Sequence, residues 1–247
     1  MLASATLRAV DAWWAGVFGC SETGLLPRRP SVLPRPPGDA FHGVVAMTFG
    51  EAAPVATLPP GLFDDFRDRV KQALARGLDD PALWAELFGG DVEAIVGPAA
   101  VRCADRETLR PLRSSADVRM LSEADLAAAG RLRAACTDAE WEHGGSDVRD
   151  HPSAGAFLAG ELVALAGYER WGKSIAHISV VAHPGHRGRG LATAAVSRIA
   201  AEALDRRLIP QCRTLESNAP SVAIAERLGF VPYARSVAVR LRAGVPA

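Results

Sequence analysis

The stretch Val180-Val181-Ala182-His183-Pro184-Gly185-His186-Arg187-Gly188-Arg189-Gly190-Leu191-Ala192 constrains the fold more than any other part of the chain. Its first residues are apolar and β-branched, which reads as a strand. From Leu191 to Arg206 the apolar residues recur at helical spacing. The residues between must turn a strand directly into a helix N-terminus. There, several backbone N–H groups lack intrahelical partners, and the helix dipole adds partial positive charge. Gly188 and Gly190 can adopt angles closed to residues with a Cβ, and they let an anion approach the main chain. Arg187 and Arg189 can add charge-assisted hydrogen bonds to the same anion. The segment therefore reads as a pyrophosphate cradle, with a plain strand-to-helix turn as the alternative. Two other phosphate loops do not fit. G-x-x-x-x-G-K-[ST] is absent, and Gly188-x-Gly190 continues without the third glycine of the dinucleotide fingerprint. The position where that fingerprint places its acidic residue, near Asp205, falls inside the helix.

The surrounding pattern is α+β. Residues 5–18 space Val10, Trp13, Trp14, Val17 and Phe18 as a docking helix, for which a homodimer contact is the alternative. Pro27, Pro30, Pro34, Pro36 and Pro37 mark an extended connector. Strands are expected at Gly43–Phe49 and Pro54–Leu58, and helices after Pro59-Pro60-Gly61 and at Ala82–Phe88. Two further strands, Val92–Val96 and Ala100–Cys103, are expected around Gly97-Pro98. No catalytic constellation stands out in this part. The polar segment Thr108–Ala116 then sets a boundary, giving an N-terminal helix, connector and small α+β domain of unknown role at 1–115 and a second domain at 116–247.

The second domain begins with a short strand, Asp117–Met120. Ser122 then caps a helix that runs to about Cys136, with Asp125 placed for a capping box. After a polar loop, Glu140–Gly145, come a hairpin around Gly160-Glu161 and a strand at Ile175–Val181. A long helix, a strand at Leu208–Thr214, a helix at Pro220–Leu228 and a last strand at Val237–Leu241 complete it.

Charge narrows the function. The chain has 28 basic and 28 acidic residues and no net charge, and neither part carries a basic excess, so a general nucleic-acid binder is not expected. The four cysteines form no C-x-x-C pair, and no cluster has metal-ligand spacing; no metal is expected. Without a signal-peptide pattern or a long apolar run, a cytoplasmic protein with no membrane partner is expected.

Arg187-Gly188-Arg189-Gly190-Leu191-Ala192 resembles the R/Q-x-x-G-x-G/A signature of the GNAT superfamily of acyl-CoA-dependent N-acyltransferases. It lies between a strand ending in Val-x-x-Pro and a long helix, as in that family. Downstream, Asn218-Ala-Pro-Ser221 followed by Ala225-Glu-Arg-Leu-Gly229-Phe230 resembles the family's N-x-x-S…L-G-F segment. The likeness covers the C-terminal half. It resembles a bacterial branch with an N-terminal extension and implies a GNAT-type fold, a central mixed, mostly antiparallel sheet flanked by helices. It further implies an N-acetyltransferase that moves an acetyl group from acetyl-CoA, its co-substrate, to a primary amine of a small molecule or peptide by direct attack in a ternary complex. By the same resemblance, the cofactor-binding residues are Val180, Val181, Arg187, Gly188, Arg189, Gly190, Leu191 and Ala192, with Asn218 and Ser221 on the far wall. The backbone of Val180 and Val181 would pair with the pantetheine arm, and an N–H near Val181 would serve the oxyanion.

If the turn Trp171–Ser174 centres a hairpin, Glu169 lies opposite His177, a candidate general-base pair in which the carboxylate should raise the imidazole pKa. A structural half-buried histidine is the alternative. The family's general-acid tyrosine position is Ala225 here, so Tyr168, Tyr233 or water is left for that role. Loss of the tyrosine also keeps open a non-catalytic acyl-CoA-binding regulatory module. Glu140, Trp141, Glu142 and His143 form an acidic, aromatic loop where the family builds its acceptor site, suited to a cationic amine.

Overall fold

Runs of β-branched and small apolar residues form strands, and longer runs with 3.6-residue apolar spacing form helices. The computed structural model describes residues 1–38, 41–78 and 80–242. In chain order these form α1 (Ser4–Phe18), β1 (Ser31–Pro34), β2 (Gly43–Phe49), β3 (Val55–Leu58), α2 (Pro60–Arg76), α3 (Pro81–Phe88), β4 (Val92–Cys103) and β5 (Asp117–Met120). Then follow α4 (Leu126–Ala135), α5 (Asp138–Gly144), β6 (Ser153–Leu158), β7 (Glu161–Trp171), β8 (Ile175–Ala182), α6 (Leu191–Asp205), β9 (Ile209–Leu215), α7 (Ala219–Arg227) and β10 (Val231–Leu241). The α+β expectation holds. Four local expectations change. Residues 92–103 form one strand that continues through Gly97-Pro98. The proline-rich connector contributes β1, which pairs parallel with β3. The last strand begins at Val231, because Val231–Val237 continues to alternate. Glu140–Gly144 is helical, because Thr137 and Glu140 form a capping box that starts α5.

The chain divides into two compact units, each discontinuous in sequence. One comprises Leu7–Val101, Thr214–Ala219 and the described residues from Pro232 onward. Its strands run in the order β1-β3-β2-β10-β4, with β10 antiparallel to β2 from Ala234↔Phe49 to Arg240↔Gly43. Leu62, Val70 and Leu74 of α2 and Trp84 and Phe88 of α3 bury against Val44, Leu58, Val237 and Val239. The Trp84 indole N–H donates to the Leu78 carbonyl, which satisfies the polar edge of a fully buried ring.

The other unit comprises Met1–Thr6, Arg102–Arg213 and Pro220–Val231. Its strands run β9-β8-β7-β6-β5, antiparallel from β5 to β8 and parallel between β8 and β9. Leu191, Ala195, Val196, Ile199 and Ala203 of α6 pack on one sheet face against Ala164, Ala166, Tyr168, Ala176 and Ile178. Ala129 and Leu132 of α4 pack on the other against Leu162, Leu165 and Val181. The alanines on both sides of the α6 contact let helix and sheet approach closely. The four cysteines are free thiols, and among the described residues no helix is long and apolar enough to cross a membrane.

Before α4 the expected cap is present in stronger form. The buried Asp125 carboxylate accepts two bonds from Arg119, at 2.9 and 2.6 Å, and one from the Ser122 N–H at 2.9 Å. The Arg119 guanidinium and the Ser122 N–H hold the Asp125 carboxyl far below the usual carboxylate range. A depressed carboxylate pKa gives stability that is present above the unfolded value, about 3.9, and is lost as pH falls toward the folded value. Asp125→Asn should cost about 1–3 kcal/mol at pH 7. Denaturant titrations of both proteins should show that difference shrinking below about pH 4. A pH-independent difference would refute the assignment.

Candidate acyl-transfer site

The site is built on the C-terminal half of β8. The β7–β8 register is unbroken from Ala164↔Ala182 to Trp171↔Ile175, and the His183 N–H donates to Val163 O at 2.8 Å. Bonded and non-bonded pairs alternate along an antiparallel ladder. Val181 and Ser179 therefore exchange bonds with β7, whereas the N–H and C=O of Val180 and Ala182 point to the opposite edge. Along that edge β9 is paired only at Ile175↔Ile209, Ala176↔Pro210 and His177↔Gln211. Beyond His177 the two strands part, and the outward backbone of Val180 faces the gap. The outward N–H thus belongs to Val180 rather than to Val181, whose backbone is taken up by β7.

The chain then passes through the 3-10 turn Pro184–His186 into α6. Gly188 and Gly190 have φ of 77° and 75°, in the left-handed region that favours glycine. A Cβ on either would meet open space, so nothing crowds the main chain at the helix start. Gly190 is the N-cap and supplies no side-chain cap, so the first N–H groups of α6, at Leu191 and Ala192, are left for another acceptor. Arg189 lies beside the His186 ring at 3.4 Å. Arg187 is directed elsewhere: it bonds Glu140 at 2.6 Å and reaches the Ala182 carbonyl at 3.4 Å. Two residues expected in separate roles, Arg187 on the cofactor and Glu140 on the acceptor, are thus each other's partners. Arg187 and the N–H of Thr137 hold the Glu140 carboxyl below its ordinary pKa, with the Thr137 N–H the larger cause.

Of the other acceptor candidates, Trp141 packs with the α4 cluster and lies under Arg133. Glu142 and His143 are exposed, and the His143 ring bonds the Ala139 carbonyl of its own helix. Sequence reasoning missed Gly144. A Cβ there would lie 2.4 Å from Val180 O, so only glycine lets the end of α5 rest on β8. Ser179 Oγ donates to Gly145 O at 3.0 Å and fixes the same contact. Asn218 lies in the turn before α7, with its N–H on Leu215 O, and Ser221 lies in the first turn of α7.

Glu169 stands directly opposite His177, as the hairpin centre requires. Their side chains do not pair. Glu169 accepts from the Trp171 indole N–H at 3.1 Å, and the Trp171 ring stacks on His177 with centroids 3.9 Å apart and planes 14° from parallel. His177 keeps partial exposure, but its Nδ1 is sealed and unpartnered among the described residues. Burial pushes the His177 pKa down to about 3, and the Arg213 charge adds to the shift. The expectation of a raised histidine pKa is overturned: the desolvating Trp171 face and a neighbouring cation outweigh a carboxylate turned aside. Tyr168 lies opposite Ile178, one position out of phase with Glu169. It is buried under α6 on the other sheet face, which removes it as an acid for this gap. The Tyr233 hydroxyl donates to Asp11 at 2.7 Å.

Comparison with known proteins agrees with this architecture. Residues 119–230 match the model of the acetyltransferase (GNAT) family. A GCN5-related N-acetyltransferase from Kribbella flavida superposes with a TM-score of 0.53 at 16% identity, covering 97% of this chain and 96% of that one. A GNAT-family protein from Novosphingobium aromaticivorans matches at 25% identity and a TM-score of 0.47, covering 60% of this chain. The match spans 65% of that relative, under two thirds of its length. The structure of yncA from Salmonella typhimurium, solved with its cofactor acetyl-CoA, matches at 19% identity and a TM-score of 0.41 over 54% of this chain and 98% of that one. No functionally curated protein matches the chain.

Proposed function

We propose that this chain is an acetyl-CoA-dependent N-acetyltransferase acting on a primary amine. The observation that carries the reading is the parting of β8 from β9 after His177↔Gln211, with the Val180 backbone facing the gap and an uncapped α6 N-terminus close beyond it. The residues present suit the cofactor. An extended arm can pair with Val180 and Ala182 as an added strand would, and a pyrophosphate suits the uncapped N–H groups of the open turn at Gly188–Ala192. The bound thioester supplies the electrophile: the neutral amine nitrogen bonds to its carbonyl carbon, the C–S bond breaks, and the proton shed by the new amide nitrogen goes to the departing thiolate.

The protein's part is to bind, place and neutralise. The Val180 N–H donates to the oxygen that becomes negative. His177, neutral and with its Nδ1 sealed, lines the site without taking up a proton, and Glu169 receives the proton that the ammonium must lose. Ala225 is buried and carries no acid, so water relays that proton from the amide nitrogen to the thiolate. That buried alanine is also the observation that favours the second reading, a non-catalytic acyl-CoA-binding module.

Thiol release from acetyl-CoA over an amine panel separates the two. Turnover supports the transferase, and CoA binding without turnover on any amine supports the module. With a pKa near 3, His177 does not change charge near neutrality. Any limb in kcat/KM between about pH 5.5 and 8 should therefore survive His177→Ala. A limb near pH 6.5 that vanishes in that variant would show that His177 titrates as an ordinary histidine.

A further inference from the structure

We propose that Arg213 is an anion-recognition residue of the acceptor pocket and that the acceptor is an amino-carboxylate, an amine that carries a carboxylate group. The inference rests on the transferase reading for the identity of the pocket. Its ground is register. Glu169, His177 and Gln211 are directly opposed across β7, β8 and β9, so their side chains share one sheet face. Arg213 lies two residues beyond Gln211 on the same face, where β9 has already left β8. It borders the gap beside His177. The same nearness is felt in the titration of His177, on which Arg213 is the one charged group with a resolved effect.

The Arg213 side chain has no hydrogen-bond or ion-pair partner among the described residues. Its side chain keeps solvent exposure, yet burial pushes its pKa down from the ordinary arginine value. A partly desolvated cation without a counter-charge is unfavourable, and an incoming anion relieves it. A guanidinium is also suited to a carboxylate, which it can meet with two parallel bonds. The cofactor is a poor source for that anion. Its pyrophosphate is assigned to the turn beyond Ala182, and Ala182 lies five residues, roughly 16 Å of strand, from His177. Glu169 flanks His177 on the other side, so the row presents a carboxylate and a guanidinium about a neutral ring. That arrangement complements an amine and a carboxylate on one small molecule.

The test uses reaction products, so it does not depend on turnover. N-acetyl amino acids and the corresponding N-acetyl amino acid amides are titrated calorimetrically into the full chain saturated with CoA. At least one N-acetyl amino acid should bind roughly 10- to 100-fold more tightly than its amide. Arg213→Gln should remove that preference, Arg213→Lys should keep part of it, and neither should change CoA affinity. Three results would overturn the proposal: no acid preferred over its amide, a preference that survives Arg213→Gln, or a loss of CoA affinity in that variant. A preserved carboxylate preference in a protein that acetylates nothing would sink the transferase reading while leaving the anion site standing.

Discussion

Gly190→Asp is expected to weaken CoA binding by roughly 100-fold or more while leaving the protein folded. Gly190 is the left-handed N-cap of α6, and a Cβ there meets open space. Aspartate enters the left-handed region at a cost of about 1 kcal/mol, so the turn should survive. Its carboxylate would then lie at the uncapped helix start and accept from the same N–H groups that the pyrophosphate needs. It would be stabilised there by the helix dipole and would repel a second anion. The melting temperature should change little, and the CoA titration should flatten. Wild-type CoA affinity in a folded variant would remove the cradle from this account.

Val180→Pro is expected to lower kcat by about 10²–10³-fold, the effect of losing one preorganised oxyanion donor. Proline removes a single N–H. At residue 180 that N–H lies on the edge facing the gap, because the β7 ladder uses residues 179, 181 and 183. Proline is tolerated at such unpaired positions and disrupts paired ones. Val181→Pro should therefore break the bond to Leu165 and destabilise the fold, whereas Val180→Pro should keep a near-native melting temperature and fail in turnover. Equal destabilisation by the two substitutions would show that the ladder phase is misassigned. A folded Val180→Pro protein with wild-type turnover would show that this N–H has no part in the reaction.

Local chemistry made much of this legible in the sequence. The strand–turn–helix from Val180 to Asp205 is written in β-branched residues, two glycines at positive φ and a 3.6-residue apolar repeat, all short-range signals. The capping residues Ser122 and Asp125 are equally local. The opposition of Glu169 and His177 followed from the position of one turn. The directions of their side chains did not, because the stacking of Trp171 on His177 and the 3.1 Å bond from Trp171 to Glu169 depend on rotamers that no spacing rule specifies. Residues 140–145 read as a loop because a helix this short has almost no periodic signal; only the pair Thr137 and Glu140 marked its start. Arg213 was invisible for a different reason. Its role depends on where a parallel ladder stops, and that point is set by pairing between segments far apart in the chain.

The most direct test of the central claim, that the gap beside β8 and the start of α6 form one acyl-CoA site, is an amide-resolved ¹⁵N NMR titration of the full chain with acetyl-CoA. The account predicts saturable shifts at Val180, Gly188, Gly190, Leu191 and Ala192, all following one binding curve, with Val181 little affected because its N–H stays on β7. Saturable binding that leaves Val180 and Leu191 unmoved, or the absence of binding at all, would contradict it.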